Sequence, residues 1–158
     1  MDNHTTLLEK MKFHGVSGKF YNLIKSYLNG RYQKVVLSHS NGIESTWEKI
    51  RQGVPQGSFL GLLLFLIYIN DLPNLASTGT KILLYADDTS IIVTSSNLEN
   101  FETKINKIFG DINNWIKVNQ LTLNYNKTNY CYYKKKIGIQ FTILIILTKC
   151  LKTFRIFL

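Results

Sequence analysis

The stretch KILLYADDTSIIVT, residues 81–94, is the most informative part of the sequence about the fold. Its two flanks consist largely of β-branched and large apolar residues, which favour strands, and they enclose Ala86, Asp87 and Asp88. This order predicts a tight antiparallel hairpin with both carboxylates at its tip. Two adjacent acids between buried strands are costly unless they have a role, and a carboxylate pair is a typical magnesium ligand set. A purely structural alternative stays open, because Asp is a common turn residue.

A second informative segment is the loop GVPQGS, residues 53–58. Its glycines permit close backbone approach, and Pro55 stiffens the chain between them. Gln56 can both donate and accept hydrogen bonds, which suits reading a base or sugar edge. Ser58 is placed to cap a following helix, whose N-terminus favours a phosphate. The alternative is that the loop is a plain connector.

Outward from these segments, the pattern alternates between helices and hairpins. Capping boxes at Thr6 and Ser96 predict helix starts. A hairpin is expected around Asn41-Gly42, and a buried helix over about 58–70. The stripe of apolar residues from Phe101 to Trp115 predicts a long amphipathic helix. Short strands are expected over 121–123 and 129–133. This mixture, without strict β-α alternation, indicates an α+β fold.

Composition bounds the class of protein. The 158 residues fit one domain, and 45% hydrophobic content excludes general disorder. Two cysteines and three scattered histidines exclude a disulfide scaffold and a zinc site. The apolar runs 59–69 and 137–147 are too short to span a membrane, so we expect no membrane partner. No signal peptide is visible, which predicts an intracellular chain, in nucleus or cytoplasm, and not a secreted one.

The charge is uneven along the chain. The net charge is +9, but residues 112–158 contain eight basic residues and no acidic one. Six of those eight lie beyond residue 133. The overall charge is therefore weak evidence for a nucleic-acid partner.

The two segments together resemble a known family. Residues 53–73, GVPQGSFLGLLLFLIYINDLP, and 83–93, LLYADDTSIIV, resemble the reverse transcriptase of non-LTR retrotransposons of the jockey and LINE type. Residues 121–128, LTLNYNKT, resemble the next block of that family. The resemblance implies a palm-type polymerase fragment with hairpins packed on helices and with fingers and thumb largely missing. The enzyme it implies is an RNA-directed DNA polymerase.

The resemblance also implies roles for individual residues. Asp87 and, less directly, Asp88 are expected to bind Mg²⁺ in a two-metal site and to be catalytic. Lys127 is expected near the departing pyrophosphate, with a solvated loop lysine as the open alternative. The nucleotide and primer are expected to bind near four further residues: Gln56, Gly57, Tyr85 and Ala86. The implied partners are an RNA template, a DNA primer and dNTPs, and no oligomeric state is implied.

The chain departs from the family pattern at both ends. The family's first catalytic block, with its essential aspartate, should precede the segment at residues 3–8 and is not in the 158 residues. We therefore expect a truncated domain over 1–133, a divergent tail over 134–158, and no polymerase activity for the chain alone. Absence of that block is expected to remove a central palm strand as well, which should leave an unpaired sheet edge beside the hairpin. The alternative functions are a non-catalytic nucleic-acid-binding relic or a membrane-associated peptide carried by the tail.

Overall fold

The computed structural model describes residues 3–37, 43–50, 53–55, 58–86, 88–135, 140–147 and 156–157. The chain divides into a first unit, residues 1–67 and 155–158, and a second unit, residues 68–154. Helices and strands occur in both units. This mixture confirms the predicted α+β class.

The first unit begins with a pair of helices and continues with short strands. Its helices are α1 (Asn3–Phe13), α2 (Gly18–Leu28) and the greater part of α3 (Phe59–Ile69). Its strands are β1 (Tyr32–Gln33), β2 (Val36–Leu37), β3 (Ile43–Glu44), β4 (Glu48–Lys49), β5 (Val54–Pro55) and, from the end of the chain, β10 (Ile156–Phe157).

The strands of the first unit confirm the predicted first hairpin. Strand β1 pairs with β4 and β2 pairs with β3, both antiparallel. The Asn41-Gly42 turn expected to connect them lies outside the described residues. Strand β5, inside the segment predicted to be a loop, pairs in parallel with β10.

The helices of the first unit differ from their predictions in detail. Helix α1 begins at Asn3, so Thr6 lies inside it and the capping box predicted there is wrong. Helix α2 buries Ile24 and Leu28, whereas its other apolar residues Phe20 and Leu23 are exposed. Apolar periodicity locates a helix but does not say how much of its apolar face a small unit can cover.

Helix α3 confirms the predicted start but is not the fully buried helix that was expected. Its N-terminus is capped by Ser58, whose hydroxyl accepts a hydrogen bond from the Gly61 backbone N–H at 3.0 Å. Leu64, Tyr68 and Ile69 are buried. Phe59 is 89% exposed, and Leu62, Leu63 and Leu66 are exposed as well.

The second unit is built around one antiparallel sheet. Its strands are β6 (Thr80–Tyr85), β7 (Asp88–Ser95), β8 (Thr128–Lys135) and β9 (Gln140–Leu147), in the order β6-β7-β9-β8. The long helix α4 (Leu98–Val118) packs on β7, and short 3₁₀ helices occur at Leu72–Leu75 and Tyr125–Lys127. Residues 121–123, predicted to be a strand, are not one.

Burial alternates along β7, so the sheet has one core face. Thr89, Ile91, Val93 and Ser95 are buried, and the residues between them are half-buried. The period of two is that of a strand with one covered face. From α4, Phe101, Ile108, Ile112 and Ile116 are buried. The helical stripe predicted from the sequence is therefore confirmed, although Asn97 and not Ser96 caps the helix.

Strand β9 bears on two expectations about the chain's end. It pairs with β7 over residues 141–147, so the β7 side of the hairpin is occupied, while among the described strands β6 stays at the edge of the sheet. It also pairs with β8 on its other side. The boundary predicted at residue 133 falls inside β8, and residues 140–147 of the expected tail belong to this sheet.

The buried tyrosine Tyr68 connects the start of the second unit to the end of α4. Its hydroxyl donates a hydrogen bond to the backbone carbonyl of Asn119 at 2.6 Å. Burial, together with the negative charge of Asp71, raises the pKa of Tyr68 to about 12. The neutral, donating form is thus the one that the folded chain stabilises.

Replacing Tyr68 with phenylalanine is expected to cost about 1–3 kcal/mol of unfolding free energy, because the buried Asn119 carbonyl loses its donor. Since the folded pKa lies above the unfolded one, the contribution is complete below about pH 10 and is lost as pH rises towards about 12. Urea denaturation of both proteins checks this. The difference in unfolding free energy between wild type and Tyr68→Phe should shrink from neutral to strongly alkaline pH. A constant difference would contradict the stabilising role of the neutral Tyr68 hydroxyl.

Candidate active site

The tip of the β6–β7 hairpin holds most of the predicted site residues that the structure describes. Tyr85 pairs directly with Asp88, and Ala86 follows Tyr85 at the end of β6. Ala86 has a φ of +49°, the sign that the first turn position of tight hairpins requires. Tyr85 and Ala86 are exposed and Asp88 is half-buried. Asp87 lies outside the described residues, as do Gln56 and Gly57.

Strand register brings Asp88 and Lys127 to the same end of the sheet. Leu147 of β9 pairs with Thr89 on one side and with Thr128 on the other. Asp88 and Lys127 immediately precede these two residues. Two strand spacings separate the backbones of Thr89 and Thr128, which is roughly 10 Å. Lys127 is exposed in the 3₁₀ helix before β8. This position is compatible with a role near the departing pyrophosphate and also with a solvated loop lysine.

The loop at residues 53–58 belongs to the first unit, and its ends are described. Gly53 is buried and has a φ of +84°, a conformation that favours glycine. The buried His4 of α1 donates a hydrogen bond from Nε2 to the Gly53 carbonyl at 2.8 Å. Sequence reasoning treated His4 as one of three scattered histidines. No local signal could have linked two residues that are 49 positions apart.

The carboxylates at the tip suit a magnesium ion by their chemistry. Mg²⁺ prefers oxygen ligands and is usually held by one or two carboxylates together with substrate phosphates and water. Adjacent residues 87 and 88 supply two such groups. Over the described ranges, no cluster of three or more His, Cys, Asp or Glu side chains is present. By their chemistry, these two residues offer a metal part of a ligand set, and further ligands would have to come from elsewhere.

The described helices also bear on the membrane alternative. None of them combines the length and the apolar character that crossing a membrane requires.

Comparison with known proteins agrees with the family resemblance. The chain is 37% identical over 99 residues to the RNA-directed DNA polymerase from mobile element jockey of Drosophila funebris, covering 59% of the chain and 10% of that protein. It is 30% identical over 142 residues to the probable RNA-directed DNA polymerase from transposon BS of Drosophila melanogaster, covering 85% and 15%. The corresponding X-element protein is 31% identical over 121 residues, covering 74% and 13%.

These matches extend over most of this chain but over a small part of each relative. The chain spans 10% to 15% of the length of these curated relatives. No solved structure matches the chain significantly. The profile of the family described as reverse transcriptase (RNA-dependent DNA polymerase) matches residues 3–146, which include all of β9 except Leu147. The chain therefore belongs to the reverse transcriptase family.

Proposed function

We propose that this chain is part of an RNA-directed DNA polymerase that extends a DNA primer on an RNA template from dNTPs. The observation that carries the proposal is the β6–β7 hairpin, in which Tyr85 pairs with Asp88, the second of two carboxylates that are adjacent in the sequence. Sites on strands hold catalytic groups more accurately than sites on loops do. Membership of the family supplies the reaction class.

In this proposal, Asp87 is the main metal ligand and Asp88 contributes less directly. Bound divalent ions would activate the primer 3′-hydroxyl and neutralise the triphosphate in a two-metal nucleotidyl transfer. Tyr85 and Ala86 lie next to the primer end. Lys127, a cation at the same end of the sheet as Asp88, stabilises the negative charge of the departing pyrophosphate.

The loop at residues 53–58 is proposed to position the incoming nucleotide. Gln56 and Gly57 contact the nucleotide and the template, and the positive φ of Gly53 shapes the entry to the loop. His4 is proposed to hold the loop's first carbonyl in place from α1. The loop acts by orientation, which contributes to rate without any covalent chemistry.

The 158-residue chain by itself is proposed to be inactive, because its sequence lacks the family's first catalytic block. The test compares this chain with a chimera in which that block, taken from the Drosophila funebris jockey polymerase, precedes it. Incorporation of labelled dTTP on poly(rA)·oligo(dT) is measured with Mg²⁺. We expect incorporation by the chimera only, and a loss of at least about a hundredfold on Asp87→Ala in the chimera.

The matched control is Glu102→Ala in the same chimera, since Glu102 is an exposed carboxylate on α4. It should leave incorporation unchanged. Incorporation by the original chain that Asp87→Ala removes would contradict the proposed inactivity. Incorporation by the chimera that survives Asp87→Ala would contradict the assigned site.

A further inference from the structure

Strand β8 carries a pair of exposed tyrosines that the proposed function does not use. Tyr130 is 73% exposed and Tyr132 is 48% exposed. Residues two apart on a strand point to the same side, and their backbones lie about 6.7 Å apart. Strand β8 is the last strand in the order of the sheet, so this pair lies along an outer strand.

The ring of Tyr132 is held by two buried rings. Its centroid lies 6.0 Å from that of Phe101 in α4 and 6.5 Å from that of Phe141 in β9. Phe101 and Phe141 also contact each other, at 5.8 Å. Such ring contacts fix the orientation of an aromatic side chain. Tyr132 thus offers a half-exposed ring that is ordered before any ligand binds.

The surroundings of this strand are basic. Lys127, which is exposed, lies one residue before β8, and Lys134 and Lys135 are its last two residues. An aromatic pair on a strand with lysines at both ends suits a polyanion that carries flat apolar groups, as the bases of nucleic acid are.

We propose that Tyr130 and Tyr132 form a stacking platform for the bases of single-stranded nucleic acid, with the neighbouring lysines attracting its phosphates. Stacking needs a base face that is not already covered by a neighbouring base, which a single strand offers and the interior of a duplex does not. The inference goes beyond the proposed function, because stacking requires no metal, triphosphate or catalytic carboxylate.

The test measures binding of fluorescein-labelled oligo(dT) to the full chain by fluorescence anisotropy, with EDTA present. Tyr130→Ala is expected to weaken binding roughly fivefold to a hundredfold, the range for loss of one stacked base. Tyr130→Phe, which keeps the ring, should bind like the wild type. The matched control is Tyr133→Ala. Tyr133 is 60% exposed on the same strand but on the opposite side of the sheet, so its removal should change affinity by less than about twofold.

Two further readouts separate stacking from other causes. Added salt should weaken binding with the same slope in wild type and in Tyr130→Ala, because the phosphate contacts are unchanged. An oligo(dT)·oligo(dA) duplex should bind less tightly than the single strand. Circular dichroism checks that each variant is folded.

Several outcomes would overturn the platform. In one of them the wild type does not bind oligo(dT) at all, and in another Tyr130→Ala and Tyr133→Ala lose the same affinity for it. Tighter binding of the duplex than of the single strand would also contradict the proposal. A Tyr130→Ala variant that binds normally but elutes as a smaller species in gel filtration would instead make this surface a contact between copies. Because the assay contains no divalent metal, its result is independent of whether the chimera polymerises.

Discussion

Replacing Ile145 with alanine is expected to lower the free energy of unfolding by about 2–5 kcal/mol. Ile145 is 2% exposed and lies in β9, between Ile91 of β7 and Tyr130 of β8. Its truncation removes buried apolar atoms and leaves a cavity that a sheet with strands on both sides cannot easily close. Urea denaturation followed by circular dichroism measures the change.

The neighbouring residue Ile146 supplies the control. It belongs to the same strand, points to the opposite side of the sheet and is half-buried. Ile146→Ala should cost about 1 kcal/mol, the typical value for a partly exposed site. If the two substitutions cost the same, β9 does not lie in the sheet in this register, and residues 140–147 would be the divergent tail that the sequence led us to expect.

Replacing Gly79 with alanine is expected to destabilise the chain by about 2–4 kcal/mol. Gly79 has a φ of +81°, and a Cβ there would lie 2.6 Å from the Thr94 carbonyl oxygen and 2.8 Å from Lys104 Nζ. The lysine can move, but the Thr94 carbonyl belongs to β7. The Gly79 carbonyl accepts a hydrogen bond from the Thr94 N–H at 2.7 Å, so separating the two backbones weakens the junction where β6 begins.

Two other glycines separate the causes of this effect. Gly15 has a φ of +83° but nothing within 4 Å of an added Cβ, so Gly15→Ala reports backbone strain alone, about 1 kcal/mol. Gly110 lies inside α4, also with open space around an added Cβ, and Gly110→Ala should stabilise the helix by about 0.5–1 kcal/mol. Equal costs for Gly79→Ala and Gly15→Ala would show that crowding against β7 contributes nothing.

Local features of the fold were predictable from the sequence. The β6–β7 hairpin, helix α4 and the Ser58 start of α3 follow from turn chemistry, apolar periodicity and capping, all of which act within a few residues. The helix start predicted at Thr6 is wrong, because the same Thr-x-x-Glu pattern can occur at the start of a helix or inside one, and here it lies inside α1. Burial of α3 was overestimated, since an apolar run does not reveal how much of its surface will be covered by other parts of the chain.

The candidate site was predictable in its residues more than in its arrangement. Tyr85, Ala86 and Asp88 were expected together because they are adjacent in the sequence and the turn between them is short. Lys127 lies at the same end of the sheet because of the register in which β9 pairs with β7 and with β8. The contact of His4 with Gly53 depends likewise on a pairing of distant segments.

The family and the hairpin that carries the acidic pair could be predicted from the amino-acid sequence, because both depend on contiguous motifs with strong local preferences. That residues 140–147 join the sheet between β7 and β8 is evident only from the three-dimensional structure. An apolar run of that kind pairs with whichever strand edges the rest of the chain leaves available. The residues of the run and their neighbours in the sequence do not show which edges those are. The same pairing brings Tyr130 and Tyr132 to an outer strand, where the structure leaves them exposed.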